Sequence, residues 1–173
     1  MLCEYFKANK IAEFDKMTEF DEIIGHVLDS EGGYVWDEDD PGGETNLGIS
    51  KKAYPNEDIK GMTRERAIYL YKRDYWDKSK AEMLKPELRY IHFDTAVNMG
   101  VFGANKILQR CGKVDDDGIF GAKTFEASKS VTLDMYASER LEHYDKLINR
   151  NPKLEKFRRG WYNRVNKIVN LVK

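Results

Sequence analysis

The chain has 173 residues, of which 41% are hydrophobic and 34% charged, and its formal net charge at pH 7 is −1. These values are typical of an ordinary soluble globular protein with one domain and room for a second lobe. No run of about 18 apolar residues is present, so the sequence predicts no membrane span. The N-terminal residues lack a continuous apolar core, so we expect synthesis in the cytoplasm without a signal peptide.

The charge is unevenly distributed along the chain. Residues 151–173 carry seven basic side chains against one acidic side chain, which leaves the other 150 residues clearly acidic. A basic terminal helix is compatible with a polyanionic partner, but a solvated helix face explains it equally well. Because the chain as a whole is acidic, whereas nucleic-acid-binding domains usually have a strongly basic face, we expect no nucleic-acid partner.

Cysteine and histidine are too sparse and scattered to form a metal site. Cys3 and Cys111 have no metal-ligand spacing, and we expect both to be free thiols. His26, His92 and His143 belong to no cluster. The glycine pairs do not have the spacing of a nucleotide-binding loop, and no serine nucleophile elbow occurs. We therefore predict neither a metal nor an organic cofactor.

In chain order, residues 1–17 have weak periodicity and are predicted to form a loosely packed arm. The first helix is predicted from about residue 18 to Glu31, where Gly32-Gly33 stop it. Residues 34–50 are predicted to form a loop or a small β-hairpin, and Thr63 is predicted to cap the next helix. The apolar stripe of the first helix consists of Phe20, Ile23, Ile24, Val27 and Leu28.

The second half is predicted to be helical throughout. Pro86 occupies a first helical position, Gly100 ends that helix, and Gly112 ends the one after it. Altogether we predict six or seven helices and one acidic, glycine-rich excursion, which is the stretch of residues 31–50. This combination predicts a mainly α (α+β) fold in two lobes. The excursion is expected to form one wall of a cleft. Further helices are predicted from Ala122, over residues 131–149 and over the last stretch, which carries Phe157, Trp161, Val165, Ile168, Val169 and Val172.

Three side chains of the excursion have the chemistry of a glycosidase. Glycoside hydrolysis generally needs a protonated carboxylic acid and a second group that stabilises positive charge or activates water. Glu31 lies at the negative end of a predicted helix dipole, which disfavours ionisation and suits a general acid. Asp40 and Thr45 follow across a turn and are candidates for the second role. From spacing alone, a turn-capping aspartate and a solvated helix end are equally compatible.

The motifs of the chain resemble those of the phage and prophage N-acetylmuramidases of glycoside hydrolase family 108, members of which have been labelled secretion activators. The resemblance covers about residues 20–170. The motifs that carry it are Glu31-Gly32-Gly33-Tyr34, Asp40-Pro41-Gly42-Gly43-Glu44-Thr45-Asn46-Leu47-Gly48-Ile49, Arg73-Asp74-Tyr75-Trp76, Phe93-Asp94-Thr95-Ala96-Val97-Asn98-Met99-Gly100, Asp117-Gly118-Ile119-Phe120-Gly121-Ala122-Lys123-Thr124 and Gly160-Trp161-Tyr162-Asn163-Arg164-Val165.

This resemblance implies a lysozyme-like, mainly helical fold that cleaves the β-1,4 bond between N-acetylmuramic acid and N-acetylglucosamine in peptidoglycan. It implies that Glu31 is the proton donor. A weaker likeness to phage-type lysozymes carries over Asp40 and Thr45. Asp37 and Asp39 are rivals of Asp40 for the second carboxylate. Two alternatives stay open, a lytic transglycosylase and a non-catalytic wall-binding or secretion-assisting protein.

The resemblance also predicts the domain organisation and the partners. Residues 18–105 are expected to form a lysozyme-like catalytic lobe, and residues 106–173 a helical lobe that resembles a peptidoglycan-binding module, packed together as one unit. The partner is the peptidoglycan glycan strand, and the site of action is the cell wall, in the periplasm or outside the cell. We expect a monomer without membrane insertion that depends on a holin-like pore for export, as an endolysin does.

Four further side chains are candidates for substrate binding. Tyr34, Trp36 and Tyr75 are aromatic residues that are able to stack on sugar rings. Asn98 lies one helical turn after Asp94, so both side chains face the same way. Two interpretations of this pair are open: a hydrogen-bonded pair that holds two helices together, or an Asn98 side chain that contacts an acetamido group in the cleft.

The acidic turn over residues 115–124 resembles the Asp-Gly-Ile-Phe-Gly turn of peptidoglycan-binding helical modules. A purely structural role accounts for it as well. In that interpretation Asp117 caps the turn, Gly118 bends it, and Ile119 and Phe120 fill the core.

Overall fold

The structure is a computed structural model that describes residues 20–28, 33–36 and 43–173. It is mainly helical with a small antiparallel sheet, which confirms the predicted lysozyme-like, mainly α fold class. The chain divides into two compact units, Met1–Tyr71 and Lys72–Lys173. Among the described residues, no helix is long and apolar enough to cross a membrane.

The described residues of the first unit include two helices. Residues 20–28 are helical (α1), and the five side chains of the predicted apolar stripe are all buried. Helix α2 covers Arg64–Tyr71, and the Thr63 hydroxyl accepts a hydrogen bond from the Arg66 backbone N–H at 3.2 Å, as the predicted cap requires. The other buried apolar side chains among the described residues of this unit are Ile49, Ile59, Met62, Ala67, Leu70 and Tyr71.

The predicted small hairpin is present between these helices. Its strands are β1, Thr45–Asn46, and β2, Ile49–Ser50. The two turn residues, Leu47 and Gly48, have φ angles of 50° and 74°, the positive values of a primed two-residue turn whose twist suits a hairpin. The Tyr71 hydroxyl donates a hydrogen bond to the Leu47 carbonyl at 3.2 Å and so anchors the turn on α2.

The second unit is assembled around its longest helix, α4. Helices α3, α5, α6 and α7 all pack against α4, and α6 also packs against α7. Its elements are a π-helix at Lys72–Trp76, α3 at Asp77–Ser79, a 3-10 turn at Ala81–Met83, α4 at Pro86–Cys111, α5 at Ala122–Ser128, α6 at Leu133–Arg150, a 3-10 helix at Pro152–Phe157 and α7 at Arg158–Val172.

Most predicted helix boundaries of this unit are confirmed. Pro86 is in the first turn of α4, and Gly100 interrupts α4 with a non-helical conformation, φ 79° and ψ 158°. The stretch predicted as two helices is therefore one helical element with a break at the predicted glycine. The Thr132 side chain caps α6, and Asn151 ends it just before Pro152.

Buried Gln109 of α4 organises the acidic turn. Its amide nitrogen donates to Asp117 Oδ1 at 2.7 Å and to Thr124 Oγ1 at 3.0 Å, and its carbonyl accepts from the Gly118 N–H at 2.8 Å. Asp117 also accepts from the Ile119 N–H at 2.9 Å, so the predicted capping role of Asp117 is confirmed. The Gln109 amide nitrogen also lies 3.1 Å from the Ile119 carbonyl, so this one side chain bonds four residues of the turn.

The prediction that Ile119 fills the core is wrong. Ile119 is 67% exposed, and Phe120 is half-buried. The side chain that lies buried beneath the turn is the polar Gln109, which is 2% exposed. Gly118 has φ 76°, and a Cβ atom at this position would lie 2.4 Å from the ring of Phe102, so the glycine allows a close approach as well as the bend.

A second buried polar group, His92 of α4, links three elements of this unit. Its Nε2 lies 3.1 Å from the Ser79 carbonyl oxygen, and its Nδ1 lies 2.9 Å from the Tyr136 hydroxyl. A carbonyl oxygen only accepts, so Nε2 carries the proton in the neutral ring. Burial lowers the pKa of His92 to about 4, because the charged imidazolium loses its hydration there.

Candidate functional site

The predicted catalytic carboxylates lie outside the described residues. This applies to Glu31, to Asp40 and to its rivals Asp37 and Asp39. Their roles stay predictions. The structure does describe the third member of the predicted set, Thr45, which begins strand β1.

The backbone of Thr45 is fixed opposite that of Val35. Val35 is the fourth residue after Glu31 in the chain. The Val35 N–H donates to the Thr45 carbonyl at 2.8 Å, and the Thr45 N–H donates to the Val35 carbonyl at 2.9 Å. This reciprocal pair is an antiparallel bridge. On its other side Thr45 pairs with Ser50. The bridge therefore brings together the segment that follows Glu31 and the strand that follows Asp40 in the chain.

The bridged segment presents two predicted sugar-stacking residues to solvent. Tyr34 is 40% exposed and Trp36 is 64% exposed. Side chains two residues apart in an extended segment lie on one face, so both rings stand on the same side. The Tyr34 hydroxyl donates to Glu44 Oε1 at 3.0 Å, and partial burial together with this carboxylate raises the pKa of Tyr34. The surface is available for stacking on a sugar ring.

Tyr75, the third stacking candidate, lies in the π-helix of the second unit and is half-buried. Its neighbour Trp76 is buried with an edge-on contact to Phe93, the ring centroids being 5.6 Å apart, so it is a core residue. Asp74 binds Arg73 and also Lys78 at 2.7 Å. Single π-helical turns are frequent at functional sites, because the extra residue changes where the side chains point.

Asp94 of α4 is the centre of a buried ion-pair cluster in the second unit. It is 2% exposed. Its Oδ2 lies 2.8 Å from Nη1 of the fully buried Arg140 of α6, and its Oδ1 lies 2.9 Å from Nε and Nη2 of Arg164 of α7. Burial, with the Asp94 charge next in importance, raises the pKa of Tyr90 to about 12. One carboxylate on α4 therefore holds both later helices.

Asn98 lies one turn after Asp94 and, unlike it, is exposed. Its Oδ1 accepts a hydrogen bond from the hydroxyl of buried Tyr144 of α6 at 2.9 Å. Tyr144 in turn stacks on Trp161 of α7, with ring centroids 4.6 Å apart. Asp94 and Asn98 thus face the same way, as predicted, but each bonds to α6 and not to the other. The two side chains therefore hold α4 to its neighbours without forming the predicted bond to each other, and the contact of Asn98 with an acetamido group stays a prediction.

Sequence reasoning did not identify Arg140, Tyr144 and Arg164 as members of this cluster. Arg164 belongs to the basic run of residues 151–173, and Tyr144 lies in the helix predicted over residues 131–149. A signal was available, because Arg164 and Trp161 belong to one of the family-like motifs. Other members of the basic run are paired on the surface: Arg158 with Glu155 and Asp145, and Lys173 with Asp134.

Two further predictions concern possible metal and thiol chemistry. Within the described part of the chain, no group of three or more His, Cys, Asp or Glu side chains is arranged to hold a metal ion. Cys111 is a free thiol, as predicted, and burial raises its pKa to about 12, so the reactive thiolate is suppressed. Cys3 lies outside the described residues.

Comparison with known proteins agrees with the motifs. The structure is similar to that of Brucella abortus SagA, with 29% sequence identity and a TM-score of 0.76 over 88% of this chain and 92% of that chain. No curated protein matches. Residues 24–100 match the family model described as glycosyl hydrolase 108, and residues 103–166 match the model of a predicted peptidoglycan domain. One region of the chain is therefore similar to a glycosyl hydrolase 108 domain and the next to a predicted peptidoglycan domain, and the protein has a peptidoglycan-related function, in agreement with the resemblance that its motifs indicate.

Proposed function

We propose that the protein is an N-acetylmuramidase, a bacteriolytic phage- or prophage-type endolysin that hydrolyses the β-1,4 bond between N-acetylmuramic acid and N-acetylglucosamine. The observation that carries this proposal is the pair of adjoining matches. The glycosyl hydrolase 108 region, residues 24–100, contains Glu31, Asp40 and Thr45, and a predicted peptidoglycan domain follows directly. A hydrolase domain joined to a domain for the same polymer is the arrangement that a wall-degrading enzyme requires.

In this proposal Glu31 donates its proton to the leaving glycosidic oxygen. Asp40, with Thr45, stabilises the oxocarbenium-like transition state or activates the attacking water. The Val35–Thr45 bridge supports this division of roles, because it ties the segment that follows Glu31 to strand β1, which follows Asp40. A fixed backbone at this point reduces the loss of entropy on bringing the reacting groups together.

Substrate contacts are proposed for the exposed aromatic rings. Tyr34 and Trp36 offer apolar faces on the segment that follows Glu31, where a sugar ring of the glycan strand is able to stack. Tyr75 is proposed as a further contact. The protein acts on the wall as a monomer without a cofactor, and a holin-like pore gives it access.

The decisive experiment compares Glu31→Gln with the wild type on purified peptidoglycan. We expect the loss of wall turbidity to slow by about 10²–10⁴-fold, because amide replacement removes the proton that the leaving group needs. The matched control is Glu22→Gln, which makes the same change at an exposed position of α1 and should keep wild-type activity. Melting temperatures of all three proteins should agree. Wild-type activity in folded Glu31→Gln would overturn the role of Glu31.

Analysis of the released sugar ends tests the type of reaction. A muramidase adds water and yields reducing muramic acid ends, whereas a lytic transglycosylase yields 1,6-anhydromuramic acid ends, which are lighter by one water. Mass spectrometry of the digest should find reducing ends. Anhydro ends would replace the hydrolase proposal by the transglycosylase, and wall binding without any released ends would replace it by a non-catalytic wall-binding protein.

A further inference from the structure

The hydrogen bonds around Asn98 have a fixed direction, which begins at the buried Asp94 carboxylate. A carboxylate only accepts hydrogen bonds and a guanidinium only donates them. The guanidinium of Arg140 forms an ion pair with Asp94, its Nη1 lying 2.8 Å from Oδ2 of the carboxylate. Arg164 donates to the same carboxylate from the other side. Two guanidinium groups therefore contact this one carboxylate and anchor the network.

The opposite edge of the Arg140 guanidinium fixes the hydroxyl of Tyr144. Nε and Nη2 of Arg140 lie 3.2 Å and 3.1 Å from the Tyr144 hydroxyl oxygen, which must accept both bonds. The hydroxyl hydrogen then points away from Arg140, to Asn98 Oδ1 at 2.9 Å. Stacking on Trp161 holds the tyrosine ring in the plane that this geometry needs.

The orientation of the Asn98 amide follows from this chain of donors. Its oxygen must face Tyr144, because the group that approaches it is a donor. Its NH₂ group therefore points away from the cluster, and among the described residues no acceptor is placed on it. Asn98 is exposed although its side chain is held from the inside by buried groups. An exposed amide with a fixed donor face is prepared to bind an external acceptor oxygen.

We propose that Asn98 is a donor subsite for a carbonyl or hydroxyl oxygen of an N-acetylated glycan, and that Tyr144 and Arg140 are positioning residues for it. This inference rests on the proposed peptidoglycan function and names a substrate contact for it. Because the Asn98 oxygen faces Tyr144, the group that the cluster turns outward to a ligand is the NH₂ donor. The subsite therefore selects acceptor groups, such as the acetamido carbonyl, over donor groups, such as the free ammonium of a de-N-acetylated sugar.

The test is binding of N-acetylglucosamine tetramer, with the de-N-acetylated tetramer as second probe, measured by titration well below the melting temperature. In Asn98→Asp an oxygen replaces the outward NH₂ group, while the inward contact to Tyr144 is kept. We expect at least tenfold weaker binding of the acetylated probe, relatively stronger binding of the cationic probe, and little change in melting temperature. The control Asn170→Asp makes the same change at an exposed position of α7 and should bind as the wild type does.

The positioning role of Tyr144 must be tested by a measurement that a loss of stability alone would not change. Tyr144→Phe keeps the ring on Trp161 but removes the hydroxyl, and we expect about threefold to tenfold weaker binding of the acetylated tetramer. In an Asn98→Ala background the same change should have no further effect, because Tyr144 acts through Asn98. Tyr162→Phe, which removes a hydroxyl bound to Asp145, is the matched control and should bind normally.

The outcomes of these binding experiments do not depend on the outcomes of the tests of the proposed catalytic function. Binding does not require turnover, so a wild type that releases no sugar ends but binds the acetylated tetramer through Asn98 refutes the hydrolase and supports the subsite. Wild-type binding by Asn98→Asp, an additive effect of Tyr144→Phe in the Asn98→Ala background, or no binding of the acetylated tetramer by the wild type would each overturn the subsite.

Discussion

The two units of the chain hold their candidate functional groups by different physical means. In the first unit, Thr45 and the aromatic segment Tyr34–Trp36 are tied by backbone hydrogen bonds across a short bridge, and the side chains stand in solvent. In the second unit, exposed Asn98 is held by side chains that reach back to the buried carboxylate of Asp94. Backbone ties leave side chains free to be replaced without loss of the fold. A charged core makes the candidate contact and the stability of the fold depend on the same groups.

The sharpest way to test this contrast is to remove the charge of Asp94. Asp94→Asn keeps the shape but leaves Arg140 fully buried without its carboxylate, and breaking a buried pair in this way typically costs about 3–5 kcal/mol. We expect a loss of that size in the free energy of unfolding, measured in denaturant. Asp145→Asn breaks the half-exposed pair with Arg158 and should cost less than about 1 kcal/mol. Equal losses in the two variants would contradict the importance of the buried cluster.

A pH titration of stability tests the second buried polar group of this unit. His92 has a folded pKa of about 4 against about 6.5 in the unfolded chain, so between these values the unfolded chain binds more protons. Stability is therefore fully present above pH 6.5 and is lost as the pH falls towards 4. A shift of this size corresponds to about 3 kcal/mol.

The measurement that isolates His92 is the difference between the wild type and His92→Gln. Glutamine keeps an N–H donor for the Ser79 carbonyl but does not titrate in this range. We expect the variant to lose less stability between pH 7 and pH 4 than the wild type, by about 3 kcal/mol. Parallel pH profiles would show that the ring is not buried in the neutral form.

The smallest expected effect on stability belongs to the first unit. Trp36→Ala removes a side chain that is 64% exposed, so the free energy of unfolding should change by less than about 0.5 kcal/mol. If Trp36 stacks on the glycan, the apparent KM for purified wall should rise several-fold. Tyr69→Ala, which removes another half-exposed ring of the same unit, is the control and should leave KM unchanged. An unchanged KM in Trp36→Ala would remove Trp36 from the proposed binding surface.

The sequence predicts those parts of the fold that depend on neighbouring residues. The apolar stripe of α1 is buried because its spacing matches the helical period, and Gly100, Thr132 and Asn151-Pro152 mark helix boundaries through local backbone preferences. The prediction that Ile119 is buried was wrong, because an apolar residue is not necessarily a core residue. The buried side chain next to the turn is Gln109.

The parts that depend on distant residues were not predictable in the same way. Arg164 lies 70 positions after Asp94, and Tyr144 lies 46 positions after Asn98. Spacing indicates that Asp94 and Asn98 share a helix face, but it does not indicate which cation or hydroxyl faces them. The donor direction of the Asn98 amide depends on all of these partners, so it became apparent only from the three-dimensional arrangement.

The break at Gly100 has a consequence for chimeras made from this chain and related proteins. The two family models adjoin at residues 100 and 103, inside helix α4, and no linker separates them. Asp94 belongs to the first matched region, whereas Arg140 and Arg164 belong to the second. A chimera cut at this junction would inherit a carboxylate from one parent and its two counter-charges from the other. The two regions are therefore exchangeable only between parents that share this triad.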